Sequence, residues 1–153
     1  MSTFTAMDIA ASGLAAQRTR MAVVASNLAN IHSTRDPEGA GPYRRREVVV
    51  EAQPIGSFGD LLSRELGGPS DALQAALRGV EVAAIRADEA APLEVYDPGH
   101  PEADENGVVR LPNISVMREM ADMMAASRMY EANLATLRAA RDMAQGALEI
   151  GRS

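Results

Sequence analysis

The chain has 153 residues, 46% of them hydrophobic, enough for one ordinary domain or for a helical layer with a small second domain. It contains no Cys, which excludes disulfides, thiolate metal sites and cysteine nucleophiles. A net charge of -6 with no Lys at all argues against nucleic acid as a partner, because phosphates are held by clustered cations.

In chain order, the first element is a long amphipathic helix over residues 5–31. Met7, Leu14, Met21 and Leu28 fall seven apart, and Ala10, Val24 and Ile31 follow three of them by three, so one face is apolar throughout. Thr5 with Asp8 resembles a capping box that would start the helix. Gly13 costs about 1 kcal/mol relative to Ala inside a helix, a cost offset if another helix approaches closely there. Asn30 is expected to close the helix as a left-handed cap. The stretch from Met21 to Thr34 is uncharged, yet spanning a bilayer takes about 20 mostly apolar residues, so no transmembrane helix is expected. The first seventeen residues hold no Arg, include Asp8 and run straight into the helix, so a cleaved secretory signal is not expected either.

The middle reads as β structure. Residues 43–51 and 80–87 are rich in β-branched residues and predict two strands; residues 93–97 and 108–111 predict two more, separated by a turn at Asn106-Gly107. Residues 57–78 carry two short helical patterns around Gly67-Gly68-Pro69 and read as an insertion or arm. Arg44, Arg45 and Arg46 at the entrance of the first strand have two readings. They form a docking surface for an acidic partner, or they face an acidic neighbour in the chain or solvent.

The last element is a helix over residues 114–150. Val116, Met120, Met123, Ser127, Tyr130, Leu134, Leu137, Arg141, Ala144 and Leu148 step by alternating four and three, a coiled-coil seam with two polar interruptions. Pro112, Asn113 and Ser115 supply a start and Gly151 a stop. Met120, Met123, Met124 and Met129 suit a contact that must adapt to non-identical neighbours. The fold class is therefore mainly α with a small β unit, laid out as an N-terminal helix (1–35), a β-rich middle (36–112) and a C-terminal helix (113–153).

Charge follows the same division. Residues 47–112 carry four Arg against thirteen acids, whereas 1–46 carry six against three and 113–153 five of each. Near-neutral ends suit helices packed on protein, and an acidic centre suits a solvated surface. Ordering roughly forty residues at about 1–2 kcal/mol each is more than one apolar seam offsets, so the ends are expected to be ordered by neighbouring molecules.

Catalysis finds little support. The acidic run Asp97, Glu102, Asp104, Glu105 and Asn106 lacks the ligand periodicity of a calcium loop, and His32 and His100 stand far apart with no partner at zinc-ligand spacing. No nucleophile elbow, phosphate loop or dinucleotide fingerprint is present, so no cofactor, metal or enzyme activity is expected.

The segment Ser26-Asn27-Leu28-Ala29-Asn30 resembles the N-terminal signature of the flagellar axial proteins, the family of rod and hook subunits. The resemblance extends through MDIAASGLAAQRTRMAVVASNLAN, PEGAGPYRRREVVVE, VYDPGHPEADENGVV, the LPN at 111–113 and ASRMYEANLATLRAARDMAQGALEIG, covering residues 4–50 and 79–152 and pointing to the proximal rod. It implies a structural subunit whose terminal helices pair as a coiled coil and pack with those of neighbours into a tube. It also implies a periplasmic position in the basal body and export through the flagellar type III apparatus without a cleaved signal. The implied partners are copies of itself, other rod proteins, the membrane ring and rod adaptor, and distal rod subunits. The 57–78 segment is longer than the usual link of the family.

Within that frame Met7, Leu14, Met21 and Leu28 are expected to face Val116, Met120, Met123, Tyr130, Leu134 and Leu137, inside one subunit or between subunits, with Leu148 continuing the seam. Asn27 and Asn30 match the signature, where their amides would bridge packed helices; alternatively Asn30 caps the helix and Asn27 faces solvent. A helical adaptor or export chaperone of the flagellar system is the rival reading, but it needs neither the β middle nor the YDPGHP segment. A rod-associated peptidoglycan hydrolase would need a catalytic acid that the sequence does not mark.

Overall fold

The computed structural model describes residues 3–37, 39, 41–55 and 77–150. Its elements are α1 (Thr3–Ala29), β1 (Arg46–Pro54), β2 (Arg78–Ala87), β3 (Leu93–Tyr96), β4 (Val108–Leu111) and α2 (Val116–Ile150). Two long helices at the ends of the chain bracket a β middle, as the patterning implied. At 27 and 35 residues they are about 40 and 52 Å long. The helical patterns expected at 57–78 lie outside the described residues except for Leu77 and Arg78.

The ends of the helices differ from expectation in three ways. α1 already runs from Thr3, so Thr5 is an interior, buried residue and the Thr5–Asp8 pair is not its cap. Asn30 does not adopt a left-handed conformation, since no described residue other than glycine has positive φ. It closes α1 through its side chain instead: Nδ2 donates to the Ser26 carbonyl at 2.9 Å while Oδ1 accepts from Ser33 Oγ at 2.9 Å. α2 begins at Val116 rather than 114, with the Glu119 amide donating to the Ser115 carbonyl at 3.0 Å as its first turn.

The strands form two separate two-stranded sheets, β1 with β2 and β3 with β4. The β3–β4 ribbon is antiparallel with Leu93 opposite Leu111 and Tyr96 opposite Val108. Its connection is tied by its own acids. Asp97 accepts from the Gly99 amide at 3.2 Å, and Asp104 accepts from the amides of Asn106 and Val108 at 2.8 and 2.9 Å. Gly107, at φ +74°, supplies the left-handed residue that the expected turn requires.

The described chain falls into two compact units, and each long helix contributes a stretch to both. The first unit is drawn from Met1–Arg18, Val50–Ala83 and Ser127–Ser153. In it, Ser12 Oγ donates to the Ile9 carbonyl at 2.8 Å and accepts from the Val80 amide at 3.1 Å, pinning β2 to α1. A Cβ built on Gly13 would come within 2.8 Å of Asn133 Nδ2, so the glycine is where α2 comes close, as its placement within the helix suggested. The second unit, from Thr19–Val49 and Ala84–Ala126, holds the buried residues Val23, Val24, Asn27, Tyr43, Val48, Val109, Ile114, Glu119 and Ala126.

Candidate assembly interface

Asn27 is 1% exposed in the last turn of α1, and all four hydrogen-bonding positions of its amide are filled. Nδ2 donates to the Arg46 carbonyl at 2.8 Å and to Glu119 Oε2 at 2.9 Å; Oδ1 accepts from the Arg46 amide at 2.9 Å and from the Tyr43 hydroxyl at 3.1 Å. One side chain thereby ties the end of α1 to the start of β1 and to the first turn of α2. The two asparagines of the signature thus have separate jobs: Asn27 bridges packed elements and Asn30 caps.

Glu119 is fully buried opposite Asn27, with its other oxygen accepting from Arg45 Nε at 2.7 Å. It sits in the first turn of α2, where the helix dipole favours a carboxylate. Arg45 also reaches Asp122 at 3.5 Å and Glu47 at 3.9 Å, and its side chain is 14% exposed. Burial pulls the Arg45 pKa down, but the hydrogen bond and charge of Glu119, with Glu47 and Asp122, outweigh it and hold the pKa above the ordinary arginine value.

The three arginines considered as a docking surface therefore divide. Arg45 is turned inward onto acids of its own chain, Arg46 stacks over the Tyr43 ring with its guanidinium carbon 5.6 Å from the centroid, and Arg44 is exposed.

The inner face of α2 can be read from its burial. Glu119, Met123, Ala126, Tyr130, Asn133, Leu137, Ala140 and Ala144 are buried or half-buried and alternate by four and three. Within the second unit Glu119 meets Asn27, and within the first Asn133 meets Gly13, so in chain order the contacts of α1 run against those of α2. Met123, Tyr130 and Leu137 lie on this seam. Val116, Met120 and Leu148 do not: they are 45%, 53% and 70% exposed, and Leu134 is half-buried beside the seam. The alternate line of the seam falls one residue earlier than apolarity alone suggested, on small and polar residues that allow close approach. On α1, Met7, Leu14, Met21 and Leu28 are each half-buried, while Ala10, Ala16, Val23 and Val24 are buried.

The outer faces have a regularity of their own. Between Thr5 and Ala29, the exposed residues of α1 are Asp8, Ala11, Ala15, Arg18, Ala22, Ala25 and Ala29, a second heptad line. On α2, opposite the seam, Ala121, Ala125, Arg128, Ala132, Ala135 and Ala139 are exposed at the same spacing. Met117, Met124, Met129 and Met143 flank that line at 84%, 57%, 53% and 63% exposure. Each helix thus carries one heptad line inward and another outward.

Family comparisons point to the same two helices. Residues 7–35 match the family described as flagella basal body rod protein, and residues 105–150 match flagellar basal body rod FlgEFG protein C-terminal. The flagellar basal-body rod protein FlgC of Bacillus subtilis is 39% identical over 99% of this chain and 100% of its own length. The FlgC proteins of Salmonella typhimurium (40% identical, 95% of each chain) and Borreliella burgdorferi (36%, 98% of each) are similar over nearly the same span. The chain belongs to the FlgC family of flagellar basal-body rod proteins. Its role is that of a structural rod subunit, and the two rod-family segments, 7–35 and 105–150, contain Asn27 and Glu119 respectively. Sequence reasoning singled out Asn27 through its motif but missed Glu119, whose only signal was a charge standing one residue before an apolar seam position. Among the described residues no helix is long and apolar enough to cross a membrane, and no group of three or more His, Asp or Glu is placed to hold a metal ion.

Proposed function

We propose that this chain is a proximal-rod subunit that polymerises through the outward faces of α1 and α2 into a tubular shaft. The shaft carries torque from the membrane ring toward hook and filament and encloses the export channel. The subunit packs against copies of itself and other rod proteins, with the ring and rod adaptor below and distal rod subunits above. It occupies the periplasm after export through the flagellar type III apparatus without a cleaved signal, and it has no catalytic role. Its site residues divide between two contacts. Asn27, Met123, Tyr130 and Leu137 pack the subunit's own helices, while Val116, Met120 and Leu148 meet neighbours.

The observation that carries this reading is the outward heptad line on each helix. A helix whose only partner is inside its own chain turns long polar side chains to water, because the stable amphipathic pattern has one apolar stripe. Here the outer faces of both helices carry alanines at coiled-coil spacing, and α2 adds exposed methionines beside them. Exposed apolar side chains grouped along a helix face in this way suit protein contacts. Because the α1 and α2 faces differ, a contact between them joins copies head to tail, the kind of contact that builds an open helical polymer when its rotation does not close into a ring.

The test is charge insertion on the outer lines. Ala25→Glu and Ala132→Glu should leave the helix content of the purified chain unchanged by circular dichroism. In cells carrying either variant as the sole copy, rods should be missing from isolated basal bodies and swimming should be lost. Normal rods and swimming in both variants would overturn the assignment.

A further inference from the structure

We propose that Asn27, Arg45 and Glu119 form a register lock, a buried polar cluster that selects the one axial alignment of α1 against α2. The proposal stands on the internal geometry of the chain and does not depend on which assembly the chain enters. Much of the apolar material between the helices is poorly suited to setting an alignment. The buried apolar residues of α1 are Ala10, Ala16, Val23 and Val24, and those of α2 are Ala126 and Ala140. Such short side chains make shallow knobs, so along the line of Ala126 and Ala140 a slip of one heptad replaces one small contact with another, and the larger Met123, Tyr130 and Leu137 of the alternate line are only half-buried. In coiled coils a single polar residue at a core position is what specifies register.

Glu119 is that residue on α2. One carboxylate oxygen fits Asn27 at 2.9 Å and the other fits Arg45 Nε at 2.7 Å, with no exposed surface left over. Asn27 is itself held by both backbone groups of Arg46 and by the Tyr43 hydroxyl, so it cannot follow a sliding helix. Slipping α2 by seven residues would set Ala126 opposite Asn27 and carry Glu119 away from both partners. Unpairing a buried carboxylate and guanidinium disfavours the slipped state by at least on the order of a hundredfold. The second polar position on the α2 seam, Asn133, lies against Gly13, where a Cβ would stand 2.8 Å from its Nδ2. It adds a shape constraint but no charge.

The absence of cysteine from the sequence makes this testable by crosslinking in the full-length chain. Gly13→Cys is combined with Asn133→Cys, which reports the native alignment, and, with Asn133 also replaced by Ala to clear the space the new side chain needs, with Ala126→Cys or Ala140→Cys, which report a slip of one heptad either way. A one-heptad slip moves the helix by about 10 Å, beyond disulfide reach, so each pair reads one register. The three pairs are oxidised in the native background and in Arg45→Met/Glu119→Leu, which removes the charged pair but leaves Asn27 bonded to Arg46. Apolar replacement of both members of a buried ion pair is commonly neutral for folding, which makes this the appropriate variant. In the native background the 13–133 disulfide alone should form. In the double variant the 13–126 or 13–140 disulfide should rise from undetectable to a yield comparable with the native one, with helix content retained. A double variant that still forms only the 13–133 disulfide overturns the lock. So does one that loses its helix content, because the cluster would then serve stability rather than alignment.

Discussion

Two ion pairs in this chain have similar short distances and should have very different weight. Arg35 reaches Glu102 at 2.6 Å, but its side chain is 81% exposed, and pairs of that kind contribute about 0–1 kcal/mol. Arg45 reaches Glu119 at 2.7 Å with the carboxylate wholly out of water. Removing Arg45 leaves the buried Glu119 without its counter-charge, a loss of about 3–5 kcal/mol. Arg45→Ala should therefore lower the urea midpoint sharply while Arg35→Ala leaves it nearly unchanged; equal effects would mean that burial of the cluster contributes nothing. Since the Arg45 pKa is raised, its contribution is complete below the ordinary arginine value and is lost only as pH climbs through the still higher folded value. The stability gap between the native chain and Arg45→Ala should accordingly stay constant from about pH 7 to 9. An acidic neighbour in the chain was one of the readings open for Arg45 in the sequence, but nothing there marked Glu119 as that neighbour. A glutamate is assigned to solvent unless something nearby marks its counter-charge, and Arg45 stands 74 positions away, on the far side of the β middle.

At the scale of elements, periodicity revealed most of what formed. Both helices, β4 at its exact bounds and the Asn106-Gly107 turn followed from spacing and turn chemistry, because these depend on neighbours in sequence. The orientation of α2 did not follow. Ranking positions by apolarity selects Met120 over Glu119 and Leu134 over Asn133, whereas close packing selects the small and polar line that the facing helix can accommodate. Glycines show the same division between local preference and packing. Nothing lies within 4 Å of a Cβ placed on Gly146, so Gly146→Ala should gain most of the helix-propensity difference, about 0.5–1 kcal/mol. Gly13→Ala has the same propensity gain but must displace Asn133, and Gly79→Ala would press on Ile55 at 2.7 Å and Ser12 at 2.9 Å. In thermal unfolding the order of stability should be Gly146→Ala above the native chain and Gly79→Ala below it, with Gly13→Ala gaining less than Gly146→Ala. A gain at Gly13 equal to that at Gly146 would remove the case for close approach there.

For the whole molecule, the last turns of α2 lack the buried side chains that Glu119, Ala126 and Ala140 supply earlier, and the difference bears on how the free subunit behaves. Its first turns hold Glu119, Met123 and Ala126 buried or half-buried, tied to α1 and β1 through the polar cluster. Beyond Ala140, residues Met143, Leu148 and Ile150 are 63%, 70% and 79% exposed, so the last turns have little internal burial to oppose the entropy of ordering. Local opening free energies follow such differences in buried contact. In the monomer, amides of residues 119–130 should exchange slowly with deuterated solvent, and those of 144–150 should exchange within the fastest class. Incorporation into a rod covers the outward alanines and methionines and should slow exchange most at the C-terminal turns and along the outer line of α1. Uniform slow exchange over all of α2 in the monomer would mean that the helix is complete without neighbours, and the outward lines would lose their role as assembly surfaces. Internal alignment and assembly are thereby separated: a subunit whose register is set by a buried charge leaves its outer lines, alanines interrupted by Asp8, Arg18 and Arg128, to be covered by whichever neighbour the growing shaft presents.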